Sequence, residues 1–189
     1  KLIIKMAQAS NKAGFIEAVG FIPFDLNIGS TNFGKYFEND SMQLKTEAEL
    51  RNLPFLSPYI DDLDSVTGKY KINLFIDGPI KNINRNGNVL IQNGVFYTQL
   101  LNDPIKFIEG DASLINNKLK FNNLTANLDY DKGNKNSPKT SNTRIDGEID
   151  LTRFFDPLYN LKVNAKNAFF RLLLLDIYGQ TNLDIAITG

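Results

Sequence analysis

The densest group of side chains able to hold a hard cation is Asp61, Asp62 and Asp64. Such cations take about six to eight oxygen ligands, which a bare acidic triplet does not supply. No glutamate closes a calcium loop at EF-hand spacing, so a solvated helix face or helix end is the simpler reading and no metal is expected. A second group, Glu109, Asp111, Asp146, Glu148 and Asp150, has the residue types of a glycosidase acid–base pair. Asp146, Glu148 and Asp150 alternate with Ile145 and Ile149, which places them on the face opposite those isoleucines. No partner that would activate a carboxylate stands beside them, and they read as a water-facing side. The chain has no His and no Cys. Cys/His zinc sites, Cys or His catalysis, a Ser–His–Asp triad and a disulfide scaffold therefore cannot be built from it. Neither an enzyme nor a cofactor is expected.

The elements that would position these residues are mostly strands. Period-two alternation dominates. Lys69–Ile76 puts Tyr70, Ile72, Leu74 and Ile76 on one face. Arg144–Leu151 aligns Ile145, Ile149 and Leu151. Asn160–Lys166 sets Leu161, Val163 and Ala165 against Asn160, Lys162, Asn164 and Lys166, and Asn182–Thr188 repeats the pattern with Leu183, Ile185 and Ile187. Weaker strands span Phe15–Phe24, Asn88–Tyr97, Ile105–Ile108 and Leu119–Tyr130. The pattern predicts an all-β, antiparallel fold with one covered side. Asn86-Gly87, Asn93-Gly94, Gly78-Pro79 and Asp103-Pro104 read as turn or break chemistry. Asp146-Gly147 lies inside an alternating run, so a bulge or close backbone approach is expected there.

Helix is a minority. Helix formers fill Ser41–Leu53 and stop before Pro54, and Ser57-Pro58 resembles an N-cap opening a short helix through Leu63 that ends near Gly68. Residues 41–64 thus read as a helical insertion, and residues 131–142, which are polar and carry Gly and Pro, as a flexible loop. Ala168–Leu175 is the least alternating apolar stretch: a strand buried on both faces, a short helix, or an apolar contact made by Phe169, Phe170, Leu172 and Leu174. It is far shorter than the roughly 20 residues of a spanning helix. GKYKINLFIDG from Gly68 and GQTNLDIAITG from Gly179 form a weak internal repeat that suggests stacked rungs. Lys plus Arg and Asp plus Glu are both 21, so no basic excess marks a nucleic-acid binder. The first residue is Lys1, which fits a piece of a larger protein, and residues 1–189 read as one domain of it.

From about Leu53 onward the order of strands resembles the C-terminal region of the TamB family, translocation and assembly module proteins related to AsmA. The likeness rests on Gly68–Pro79 after a short helix, Gly87-Asn-Val-Leu-Ile-Gln-Asn-Gly-Val-Phe96, Pro104-Ile105, Gly110, Leu119–Leu128, Gly147-Glu-Ile-Asp-Leu151, Asn160–Ala165 and the terminal Leu183–Gly189. Gly20-Phe-Ile-Pro23 is similar to the family's strand entering a polar insertion. The resemblance implies a long, curved antiparallel sheet folded into an open, β-taco-like groove with an apolar interior. It implies a periplasmic setting, with the full-length protein anchored in the inner membrane and reaching the outer one. The implied partners are phospholipid and an outer-membrane barrel protein like BamA or TamA, and the implied role is lipid transport and outer-membrane biogenesis. No catalytic residue comes with it. The lining of such a groove would be Tyr70, Ile72, Leu74, Ile76, Ile145, Ile149, Leu161, Val163, Leu183, Ile185 and Ile187, although an apolar strand face also serves as plain core. The competing readings are a structural β-module that pairs with an outer-membrane assembly protein by strand addition, a parallel β-solenoid, and an outer-membrane barrel. The last lacks Trp and an aromatic girdle.

Overall fold

A computed structural model describes residues 2–25, 27–29, 31, 34–35, 40–53, 63–99, 101, 103–128, 141–153, 156–172 and 177–189. Its strands are β1 (Leu2–Asn11), β2 (Gly14–Ile22), β3 (Ser41–Asn52), β4 (Leu63–Pro79), β5 (Asn84–Thr98), β6 (Ile105–Ile115), β7 (Lys118–Asn127), β8 (Thr143–Asp150), β9 (Leu158–Leu172) and β10 (Ile177–Thr188). They form one ten-stranded sheet in the order of the chain, β1 to β10. Every neighbouring pair is antiparallel. The sheet is open: β1 and β10 are its two edges and do not pair with one another. The all-β, antiparallel expectation therefore holds, and neither a parallel solenoid nor a closed barrel describes the described residues.

The helix expected at the start of the 41–64 insertion is replaced by β3. Gln, Lys, Glu and Ala favour helix individually, but Met42, Leu44, Thr46, Ala48 and Leu50 alternate with Gln43, Lys45, Glu47 and Glu49. That period of two lets β3 bond to β2 on one side and β4 on the other. The segment expected to be helical from Ser57 lies outside the described residues up to position 62, and from Leu63 to Gly68 the backbone is already β4. Among the described residues there is no α-helix, only a 3₁₀ turn at Ile80–Asn82. The 131–142 loop lies outside the described residues except for Ser141 and Asn142. Asn142 is tied to the end of β7: its Nδ2 donates to Leu128 O (3.1 Å) and its Oδ1 accepts from Leu128 N–H (2.9 Å).

The turn chemistry also differs from the expectation. Asn86-Gly87 and Asn93-Gly94 lie inside β5, not between strands. Two-residue hairpins are instead Lys12-Ala13, joining β1 to β2, and Asn116-Asn117, joining β6 to β7 with φ of 50° and 67°. Positive φ at both positions is what a tight hairpin needs, and Asn tolerates it. Arg85 Nη1 donates to Asn117 Oδ1 (3.1 Å), and Asn86 Oδ1 accepts from Asn116 N–H (3.0 Å), which ties this turn to β5. Gly147 behaves as expected. Its φ is +127°, and a Cβ there would lie 2.1 Å from Asn160 O on β9.

Register breaks recur at one level across the middle of the sheet. They fall at Leu50/Asn52 on β3, Thr67/Lys69 on β4, Ile91/Gly94 on β5, Glu109/Asp111 on β6 and Phe121/Leu124 on β7. Asn93 (φ 50°) and Asn123 (φ 56°) supply left-handed backbone in this band. Each bulge bends its strand and increases local twist, so an aligned series bends the sheet along one line. Beside the band lies the main buried cluster. Leu53, Val66 and Tyr70 pack with Leu50, Ile72, Ile91 and Phe96, and the Tyr70 hydroxyl donates to Thr67 O (2.9 Å).

Candidate functional site

Tracing partners from strand to strand gives the faces directly. One row across all ten strands reads Ala9, Ile16, Ala48, Ile72, Val89, Ala112, Phe121, Gly147, Leu161, Ile187. The adjacent row, one residue along each strand, reads Gln8, Glu17, Glu47, Asn73, Asn88, Ser113, Lys120, Glu148, Asn160, Thr188. Successive residues of a strand point to opposite faces. One face thus carries only apolar residues and glycine along this row, and the other only polar ones.

The eleven residues singled out from sequence fall on the same apolar face. Ile72, Leu161 and Ile187 belong to the row above. Leu74 and Ile149 lie in the next one, with Thr46, Gly87, Leu114, Leu119 and Tyr159. On the other side of the first row, Tyr70 faces Ile91, Ile145 and Val163 run on to Ile185, and Leu183 faces Ala165; Ile76 lies beyond Leu74 and faces Leu44 and Arg85. Tyr70 is buried, and burial pushes its phenol pKa up. Ile72, Leu74, Ile76, Ile145, Ile149, Leu161, Val163 and Leu183 are half-buried. Ile185 and Ile187, on the β10 edge, are 43% and 44% exposed.

Thr46, Ala48 and Leu50, in the segment expected to be helical, also belong to this face, as does β1. In β1 a register break between Ile4 and Ala7 interrupts the alternation that would have revealed it. Val89, Ile91, Ala112, Leu114, Leu119, Phe121 and Leu124, on strands with weaker alternation, lie on it too. The most deeply buried positions of this face are small: Ala112 is 2% exposed, Ala126 0%, Ala165 2% and Ala168 0%. No large side chain is fully buried among the described residues. The face is therefore covered mainly by the flanks of its own neighbours.

The Ala168–Leu175 stretch continues as strand through Leu172 in β9, where Phe169, Phe170 and Leu172 pair with Gln180, Gly179 and Ile177. The Phe169 N–H donates to Leu128 O (2.9 Å). Leu174 lies outside the described residues. A hollow of about 350 Å³ adjoins Lys45, Thr46, Asn73, Leu74, Phe75, Asn86 and Gly87. By register Lys45, Asn73, Phe75 and Asn86 belong to the polar face and Thr46, Leu74 and Gly87 to an apolar row.

Asp111, Asp146, Glu148 and Asp150 are partnered on the polar face. Arg144 grips Asp146 with two hydrogen bonds, Nε to Oδ2 (2.7 Å) and Nη2 to Oδ1 (2.9 Å). This pairing holds the Asp146 carboxyl below the usual aspartate range. Thr152, whose N–H donates to Asp150 Oδ1 (2.9 Å), does the same for Asp150. Glu148 pairs with Lys118 (3.5 Å), and Asp111 Oδ2 accepts from Asn122 Nδ2 (3.0 Å). A general acid at neutral pH needs the opposite displacement. Asp61 and Asp62 lie outside the described residues, and Asp64 Oδ1 accepts from Gln99 Nε2 (3.2 Å). Among the described residues no cluster of three acidic, His or Cys side chains is placed to hold a metal. No helix among them is long and apolar enough to cross a membrane. No family model, characterised protein or solved structure matches the chain.

Proposed function

We propose that this chain is a non-enzymatic segment of a TamB-like, envelope-spanning protein, and that phospholipid tails move along its apolar face. The observation that carries the reading is the apolar row from Ala9 to Ile187, unbroken across an unclosed sheet and backed by a wholly polar row. Nine strand spacings make that row about 43 Å long. Each methylene placed on it gains about 0.8 kcal/mol. Every strand offers the same gain, so a tail shifting from one strand to the next meets no large step. Headgroups stay in water. The band of bulges supports a bent sheet, and in this reading its apolar side is the concave one. In this reading the full-length protein is anchored in the inner membrane, crosses the periplasm and meets a BamA- or TamA-like barrel at the outer membrane.

The test is to purify the chain, extract it and analyse the extract for phospholipid by mass spectrometry. Co-purified phospholipid is expected, reduced in Ile72→Asp and Val163→Asp. Ile185→Asp and Ile187→Asp, at exposed edge positions, separate loss of lipid from loss of fold. A lipid-free wild-type chain, with lipid transfer by the full-length protein unchanged in these variants, would overturn the reading.

A further inference from the structure

Phe75 is an aromatic residue on the polar face. Ile72, Leu74 and Ile76 point to the apolar face, so Phe75 points the other way, with Asn73. Its cross-strand neighbours are Lys45 on β3 and Asn86 on β5. The hollow of about 350 Å³ lies beside this ring. It opens on the polar face: Ile72 and Ile76, which flank Leu74 on the apolar face, do not adjoin it. Thr46, Leu74 and Gly87 therefore meet it through their backbone, and Lys45, Asn73, Phe75 and Asn86 through their side chains. Its volume falls at the lower end of small-molecule sites, about 300–1,000 Å³.

The polar groups around the hollow are held in place. Lys45 Nζ pairs with Glu47 Oε1 (2.7 Å), which leaves the methylene stem of Lys45 to the hollow. Asn86 Oδ1 accepts from Asn116 N–H (3.0 Å), and Asn73 Nδ2 donates to Asn88 Oδ1 (3.4 Å). Among the described residues, Asn86 Nδ2 and Asn73 Oδ1 have no hydrogen-bond partner in the protein. Each amide is thus fixed at one end and open at the other. The hollow is left with one donor and one acceptor beside an aromatic ring.

These features select the chemistry of an occupant. Glu47 already answers the Lys45 charge, so an anion gains little. β4 is bonded on both sides along this stretch, so no backbone edge is offered to a peptide strand. A wholly apolar molecule would strip water from the two amides and return no hydrogen bond. What fits is a neutral molecule with one apolar face and a rim of hydroxyls. A pyranose has that form: its C–H face packs on an aromatic ring, and its hydroxyls both donate and accept. We propose that the hollow binds a sugar ring of a neutral glycan, stacked on Phe75 and hydrogen-bonded to Asn86 Nδ2 and Asn73 Oδ1. The site is on the face opposite the apolar rows, and this inference does not rest on lipid carriage.

NMR titration of the whole chain with cello- and chito-oligosaccharides tests this. The side-chain amide signals of Asn73 and Asn86 are expected to shift with at least one of the two glycans and to saturate in the millimolar range. The shifts should be the same at low and high salt. Phe75→Ala should weaken binding roughly tenfold or more, and Phe75→Tyr should retain it. Asn73→Ala should weaken it roughly threefold to tenfold. Asn73 is exposed, so this variant carries the test if Phe75→Ala does not fold. Phe15→Ala removes another ring of the same face, 41% exposed, and should change nothing. No shift with either glycan, or shifts that persist undiminished in folded Phe75→Ala, would overturn the proposal. So would binding confined to an acidic glycan such as heparin and abolished by salt, which would mark an anion site at Lys45.

Discussion

Gly147 and Gly179 both lie in strands, yet they are under opposite constraints. At Gly147 a Cβ would meet Asn160 O at 2.1 Å with φ at +127°, whereas at Gly179 nothing lies within 4 Å. Gly147→Ala is therefore expected to lower unfolding free energy by about 2 kcal/mol or more, and Gly179→Ala to change it by less than about 0.5 kcal/mol. Urea denaturation of the two variants checks this. The close approach at Gly147 was legible because Asp146-Gly147 interrupts an alternating run. Gly87 and Gly94 were not, because an Asx-Gly pair has the same composition in a turn as inside a bulged strand. The Arg144–Asp146 pair gives a second residue-scale expectation. Its hydrogen bonds lower the folded-state pKa of Asp146, so its stabilising contribution is fully present above the unfolded aspartate pKa. That contribution is lost as pH falls through the folded value. An NMR titration should show the Asp146 carboxyl ionising below the usual range, and Arg144→Gln should bring it back.

At the scale of elements, β3 separates propensity from pattern. Read as composition, Ser41–Leu53 is helical; read as alternation, it is a strand with Ala48 inside and Glu47 outside. Pairing on both edges decided between them, and that is a property of β2 and β4 rather than of the segment itself. Ala48 is 6% exposed between Ile16 and Ile72. Ala48→Lys should cost about 2–4 kcal/mol, and Glu47→Lys less than about 0.5 kcal/mol. Thermal unfolding of both variants distinguishes a strand from a helix, in which neighbouring positions would not face opposite ways. The unbroken alternating runs within β4, β8, β9 and β10 were legible in the sequence, and so were the apolar residues on them. β1 and the Asn116-Asn117 hairpin were not, since a bulge in one case and two adjacent asparagines in the other carry little periodic signal.

For the whole molecule, the consequence of a one-layer sheet is a small gain in hidden apolar surface. Unfolding exposes less new area than in a compact chain of this length, so the urea m-value is expected to fall below the usual size trend. A non-ionic detergent that covers the apolar face should raise the melting temperature by binding the folded state; an unchanged temperature at saturating detergent would count against an accessible face. Strand order has a further effect on folding. Substantial contacts join only strands that follow one another in the chain. Each closure joins neighbours in the chain, and the structure behaves as a linear array of nearest-neighbour couplings. Such a chain can assemble one hairpin at a time from whichever end is available first. A defect in one strand is felt most by the two beside it, and fades with distance along the row.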